Sequence, residues 1–377
     1  MKLIAFYLPQ FHLIPENEEM WGKGFTDWVN VKNAKPMFEW HKQPVEPLND
    51  NYYDLLDINV MKWQTDLAKK YGIYGFCMYH YWYNGHLLLE KPVENYLRHP
   101  EVDFPYCLCW ANHDWGYSWV YDNKVIYKQE YNDKKEWYEH FMYFLPFFKD
   151  ERYMKDNNGS PILIIYDVIR DNKIQDMLEY WNVLARENGF ENGLSLGYQH
   201  YAADSVDYFD DSIFSYNIEY QPMYARTFAS SSKSTKRIYS ILRYINDNTF
   251  KIKMAVFDRF KKDKVTILDY DDIWKKINSM PPVTSKSVPG AFINEDTTPR
   301  KKTRGLIVKG MTLDKFYKYF KKQIIHARED YKSDMLFLFA WNEWAEGAYM
   351  EPDKHNEYGV LEIIYRALKE TNELPQK

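Results

Sequence analysis

Two glutamates, Glu343 and Glu346, stand three residues apart in the segment Trp341-Asn342-Glu343-Trp344-Ala345-Glu346-Gly347, directly after the apolar run 335–340. Acids at the end of a buried strand are costly, because burial and mutual repulsion both push at least one of them toward the neutral form. A carboxylic acid of raised pKa beside an ionised carboxylate is what cleavage of a glycosidic bond uses: one group protonates the leaving oxygen while the other serves as base or nucleophile. The alternative is a pair of rim acids satisfied by Arg or Lys. Against it stand Trp341 and Trp344, whose rings offer a flat apolar face and a hydrogen-bonding edge, the pairing a sugar ring also presents. Glu351 and Asp353, further along, are candidates for binding substrate hydroxyls or for a solvated loop.

The elements that must position these acids are short apolar runs rich in β-branched and aromatic residues, at 3–8, 73–81, 106–111, 162–168, 194–199, 212–216, 291–294 and 335–340. Helical patterns lie between them, at 60–71, 174–188 and 313–329. Eight apolar strands alternating with helices predict an α/β fold, a closed (β/α)8 TIM barrel forming a single domain over 1–377. A doubly wound nucleotide-binding sheet is disfavoured, because the turn after the first strand is Pro9-Gln10-Phe11-His12 and carries no glycine.

In such a barrel the reacting groups gather at the C-terminal ends of the strands. Read that way, the chain offers Tyr7, Gln10 and His12 after strand one; Tyr79, His80 and Trp82 after strand two; and Trp110, Asn112, His113, Asp114 and Trp115 after strand three. Tyr166 follows strand four, Tyr198 strand five, Asp296 strand seven, and Trp341, Asn342 and Trp344 flank the acids. His80, His86 and His113 lack the spacing of a zinc site, so no metal and no cofactor is expected. No Gly-x-Ser-x-Gly elbow is present. Cys77, Cys107 and Cys109 sit in apolar runs and read as core thiols.

Two insertions break the rhythm. The first, 15–59, is expected to be a structured loop near the barrel mouth. The second, 221–290, is a basic helical insertion; 226–276 holds 13 Lys or Arg against 6 Asp in a chain of net charge −5. Ile238, Ile241, Leu242 and Ile245 fall at helical spacing beside Lys236, Arg237 and Arg243, as in a helix lying on an anionic membrane or covering the barrel. Aromatic residues make up 18% of the chain, with 34 Tyr and 13 Trp, and many stand beside polar residues, as platforms for sugar rings do. With neither a signal-peptide pattern nor a membrane-length apolar run, the expected location is the cytoplasm, with membrane association through 226–276 as an option.

Several ordered blocks together resemble the WbsX proteins, which are similar to glycoside hydrolase family 99. They are Phe6-Tyr7-Leu8-Pro9-Gln10-Phe11-His12, Lys23-Gly24-Phe25-Thr26-Asp27-Trp28-Val29-Asn30-Val31, Gly75-Phe76-Cys77-Met78-Tyr79-His80-Tyr81-Trp82, Cys109-Trp110-Ala111-Asn112, Thr298-Pro299-Arg300 and the Trp341 to Gly347 segment. The resemblance implies a (β/α)8 barrel and retaining, endo-acting cleavage of α-mannosidic bonds. It implies that Glu343 acts as base on the sugar's own 2-hydroxyl, giving a 1,2-anhydro sugar, and that Glu346 protonates the leaving oxygen. It also adds Trp28 and Arg300 to the substrate-binding candidates, alongside Glu351. The block Trp110-Ala111-Asn112-His113-Asp114-Trp115 departs from the usual Trp-Ala-Asn-Glu-Asn-Trp, which bears on sugar identity more than on chemistry, and Asp296-Thr297-Thr298-Pro299-Arg300 departs from Asp-Asn-Thr-Pro-Arg, which implies loss of an asparagine contact. The partner implied is an oligosaccharide or polysaccharide, free or lipid-linked, and no nucleic acid. Two other functions stay open: a glycosyltransferase of O-antigen or capsule synthesis, and a carbohydrate-binding protein without catalysis.

Overall fold

The computed structural model describes residues 1–116, 125–168, 173–201, 211–228 and 264–375. Nine strand segments make one parallel sheet: β1 (Lys2–Tyr7), β2 (Gly75–Tyr83), β3 (Tyr106–Trp110), β4 (Ile162–Ile165), β5 (Ser195–His200), β6 (Tyr216–Glu219), β7 (Ser287–Val288), β8 (Gly290–Phe292) and β9 (Met335–Phe339). The hydrogen-bonded order is β7-β6-β5-β4-β3-β2-β1-β9-β8. Its two ends, β7 and β8, are consecutive in the chain and separated only by Pro289. Proline has no N–H to give the ladder, so the pairing breaks there although the chain runs on. Ser287 and Val288 pair with β6, Gly290 to Phe292 pair with β9, and Phe337 N–H donates to the Pro289 carbonyl at 3.2 Å. The ring therefore closes through one chain segment, giving the eight staves of a (β/α)8 barrel.

The helices that matter for the site are α1 (Pro15–Trp21), α2 (Asp27–Asn33), α3 (Ile58–Lys70), α4 (Lys134–Lys149), α5 (Lys173–Glu187), α6 (Thr298–Lys301), α7 (Leu313–Glu329) and α8 (Gly359–Glu370). The long ones follow from amphipathic periodicity. In α7, Phe316, Tyr319, Phe320, Gln323, Ile324 and Ala327 are buried at three- and four-residue spacing, and the Thr312 side chain accepts the Lys315 N–H to cap the first turn. The expected helices at 60–71, 174–188 and 313–329 correspond to α3, α5 and α7.

Two strands fall elsewhere than the apolar runs predicted. Strand six was expected at 212–216 and lies at Tyr216–Glu219; strand seven was expected at 291–294 and lies at β7 and β8. In β6 two of the three buried residues, Asn217 and Glu219, are polar, so the ladder runs where an apolar count does not look. Each has one partner outside the strand: His200 Nδ1 lies 2.8 Å from Asn217 Oδ1, and Tyr331 OH donates to Glu219 Oε2 at 2.8 Å, while Asn217 Nδ2 and Glu219 Oε1 have none among the described residues. The basic amphipathic stretch around 236–245 lies outside the described residues. No helix among the described residues is long and apolar enough to cross a membrane.

The seam at Pro289 depends on Gly290. A Cβ there would sit 1.9 Å from the Glu219 carbonyl oxygen, a backbone atom of β6. We expect Gly290→Ala to lose about 3 kcal/mol or more in urea unfolding, because backbone cannot move aside as a side chain can. An unchanged midpoint would show that the seam is looser than these contacts require.

Candidate active site

The period-two alternation of a strand sends successive side chains to opposite faces, and this decides which strand-end residues meet. On β1, Phe6 faces inward and packs against Tyr79, Tyr220 and Phe337, while Tyr7 faces outward and donates to Gln64 Oε1 of α3 at 2.8 Å. On β2, Tyr79 and Tyr81 line a central cavity, whereas His80 and Trp82 face α4. His80 Nε2 lies 2.9 Å from His140 Nε2, and Trp82 stacks on the His140 ring and donates to Glu136. Burial lowers the His80 pKa to about 3, as expected of an imidazole walled in by α4.

The cavity, of about 540 Å³, opens at the C-terminal end of the barrel. It brings together Gln10, Tyr79, His113, Asp114, Trp115, Tyr166, Arg300, Glu343 and Glu346 from the sequence candidates. Gln10 Nε2 is buried on this wall with no partner among the described residues. Burial pushes the Tyr166 phenol up to about 12, so it stays protonated.

The other candidates are placed away from the cavity, and each has a physical reason. Trp110 and Tyr198 point outward from their strands, Trp110 onto Trp181 and Tyr198 onto Phe214. Asn112 ties β3 to β4: its Oδ1 accepts the Asp167 N–H at 2.7 Å and its amide donates to Tyr131 OH at 2.7 Å. His12 is buried, which lowers its pKa to about 4. Trp28 donates to the Tyr53 carbonyl at 2.8 Å and packs between Phe11 and Trp344. Asp296 accepts from His41, Gln43 and the Thr298 hydroxyl at 2.7, 2.6 and 2.6 Å.

Within the Trp341 to Gly347 segment every residue flanking the acids is anchored elsewhere. Asn342 exchanges two bonds with the Leu8 backbone, Leu8 N–H to Oδ1 at 2.8 Å and Nδ2 to the Leu8 carbonyl at 2.9 Å. Trp341 and Trp344 both donate to Glu351, at 2.9 and 2.6 Å, and Glu351 also accepts from Gln64 and Tyr53. Glu351 is thus a fully bonded strut outside the barrel wall rather than a group of the central cavity; burial still raises its pKa to about 7. Asn342 and Glu343 form a short antiparallel pair with Ala348 and Tyr349, and Gly347 turns the chain with φ 61°. A Cβ at Gly347 would meet Asp296 at 2.8 Å, so only glycine fits this tight return.

What remains facing the cavity is the acid pair, and one guanidinium spans it. Arg300 Nη2 donates to Glu343 at 2.9 Å and Nη1 to Glu346 at 2.6 Å, while Asp27 accepts from Nη2 at 2.5 Å. Arg300 is buried, and its charge is held on by the three carboxylates around it. Three acids against one cation cannot all ionise cheaply in such a place. Burial is the largest influence on Glu343 and lifts its pKa to about 8; Arg300 opposes the rise, and Glu346 and Asp27 add to it. Glu346 is the more open of the pair, its side chain 20% exposed against 7% for Glu343.

Asp27 and Tyr220 are site residues that the spacing of motifs did not single out, whereas Tyr81 is among the residues at the end of strand two. Asp27 heads the short helix α2 in the first insertion, and Tyr220 follows the misplaced strand six. Among the described residues no group of three or more His, Cys, Asp or Glu side chains is placed to hold a metal ion.

Solved structures of glycoside hydrolases share this fold. The family 99 endo-alpha-mannosidase from Bacteroides thetaiotaomicron superposes with a TM-score of 0.54 at 12% identity, over 99% of this chain and 98% of that one. A glycoside hydrolase-like protein gives a TM-score of 0.57 at 12% identity, over 97% and 93%. By sequence, the family described as Glycosyltransferase WbsX matches residues 3–364, and the chain belongs to that family. It is 30% identical over 379 residues to the uncharacterized protein WxcX of Xanthomonas campestris pv. campestris, a match covering 97% of this chain and 49% of WxcX. The chain thus spans about half the length of the curated relatives it matches.

Arg300→Leu should cost about 3–5 kcal/mol at neutral pH, since it leaves buried carboxylates without their cation. The loss should shrink as pH falls, because protonation removes the uncompensated charge, and grow as pH rises. Urea unfolding at several pH values reads this directly; a pH-independent loss would assign the destabilisation to packing instead.

Proposed function

We propose that the protein breaks or transfers an α-mannoside-like linkage of a surface polysaccharide or its lipid-linked precursor, with Glu343 and Glu346 as the reacting acids. The observation that carries this is the pair itself: two glutamates on one wall of a tyrosine-floored cavity, fixed by a shared, buried Arg300. The family description as a glycosyltransferase and the shared fold with family 99 hydrolases both fit such chemistry, which differs between the two in whether water or a sugar hydroxyl takes the glycosyl group.

Glu343 takes the proton of the sugar's 2-hydroxyl, and O2 forms its bond to C1 as the bond from C1 to the leaving oxygen breaks. Glu346 delivers a proton to that oxygen. In the second half Glu346 takes a proton from the acceptor, the acceptor oxygen attacks C1, the C1–O2 bond opens, and Glu343 returns the proton to O2. Two inversions at C1 give net retention. Holding the 2-hydroxyl in line with the leaving group makes the first step intramolecular, a large advantage in effective concentration. Arg300 fixes both carboxylates at no cost in reorganisation, and Tyr79, Tyr81 and Tyr166 supply faces and hydroxyls for the ring.

Glu343→Gln and Glu346→Gln should each depress cleavage of α-mannosides by roughly a hundredfold or more, with the product keeping its anomeric configuration. Because Glu343 must be ionised to act as base while Glu346 must carry a proton to act as acid, kcat/KM should be bell-shaped in pH, falling on both sides of its maximum. Absence of cleavage across a panel of α-glycosides, with transfer from a sugar nucleotide that survives both substitutions, would overturn the proposal.

A further inference from the structure

Beside the central cavity, on the far side of Trp344, lies a second one of about 370 Å³ formed by the loop 47–53, helix α3 and the approach to α8. Five aromatic residues line it, and three of them, Tyr52, Trp63 and Tyr358, are half-buried, so each leaves part of its surface open. With them stand Asn49, Asp50 and Asn51. Among the described residues, nothing bonds the side-chain amides of Asn49 and Asn51 or the indole N–H of Trp63. Asp50 pairs with Lys354 at 2.6 Å, and Lys32 lies 3.9 Å from the Tyr52 ring centre, so the rim is charged and wet.

The geometry points to a second pyranose-binding site, one that holds a sugar residue of the glycan away from the residue being cleaved. Flat apolar faces beside planar amide and carboxylate groups match the C–H face and hydroxyl rim of a pyranose. A protein partner fits poorly: the wall is more polar than apolar, whereas the centre of a stable protein interface is mostly apolar.

The site is also physically joined to the first. Trp344, between the two glutamates in sequence, forms part of its wall, as do Tyr53 and Glu351. Tyr53 and Trp344 both donate to Glu351, so a sugar settling on this wall presses on the same strut that fixes the acid-bearing segment. The ligand class follows from the function proposed above, whereas the cavity and its lining stand independently of it.

The test uses the full chain carrying 5-fluorotryptophan, with the Trp63 resonance assigned through Trp63→Phe. The probes are α-mannotetraose, maltotetraose and cellotetraose, added to wild type and to Glu343→Gln. At least one should shift the Trp63 signal saturably in both proteins, and Tyr358→Ala should weaken that response by about tenfold. No shift of the Trp63 signal with any of the three would overturn the inference. Turnover measured on the same samples separates the two claims: cleavage without a Trp63 shift rejects the second site alone, whereas a Trp63 shift without cleavage supports the site independently of the catalytic reading.

Discussion

A guanidinium buried against three carboxylates is the interaction on which the mouth of this barrel depends. Arg300 comes from the turn after the seventh stave, Asp27 from the insertion after the first, and Glu343 and Glu346 from the end of the last. Removing a cation from water is expensive, and only close anionic partners return that cost. Once Arg300 is committed to the interior, the insertion must fold over the barrel to deliver Asp27, and the last strand must present its acids inward. The 15–59 insertion thereby becomes part of the site wall, contributing Met20 and Trp21 to the cavity as well.

A second buried acid completes the arrangement from outside. Glu351 gathers Trp341, Trp344, Tyr53 and Gln64, and Asn342 locks onto Leu8, so the segment carrying the two glutamates has its other side chains tied to the far side of the wall. Alternation alone would not aim Glu343 and Glu346 together, since they are three apart; the turn at Trp344 to Glu346 and the left-handed Gly347 do that. The aromatic richness of the chain divides in the same way. Tyr79 and Tyr220 line the cavity and pack on Phe6, with Phe339 against Tyr220, while Trp110, Trp181, His140 and Phe144 fill the space between strands and helices.

Much of the barrel was legible because its strands are apolar runs and its helices carry a plain stripe, as at 313–329. Strand six was not, because β6 buries Asn217 and Glu219 against partners distant in sequence, which no local count reveals. The candidate site was legible in part. Inspecting strand ends found Gln10, Tyr79, His113, Asp114, Trp115, Tyr166 and the acids. The same inspection took in His80, Trp82, Trp110 and Tyr198, which period-two alternation turns outward. Asn342, Trp341, Trp344 and Glu351 look like a cluster at the reacting bond in sequence and serve there as tethers behind the acids, because their partners, Leu8, Tyr53 and Gln64, lie far away along the chain. Asp27 could be found only from its partner, as an acid within 2.5 Å of Arg300 across 273 residues.

Burial, with the charges of Glu346 and Asp27 adding to it and Arg300 opposing, holds a proton on Glu343 and makes it a strong base when that proton leaves. Carbon-13 NMR titration of the protein labelled at its glutamate carboxyls, with Glu343 assigned through Glu343→Gln, measures this directly. The Glu343 carboxyl should titrate near 8, far above an ordinary glutamate at about 4.3. A Glu343 signal that titrates in the ordinary range would mean that Arg300 outweighs burial, and that the pair is a structural ion cluster rather than an acid and a base.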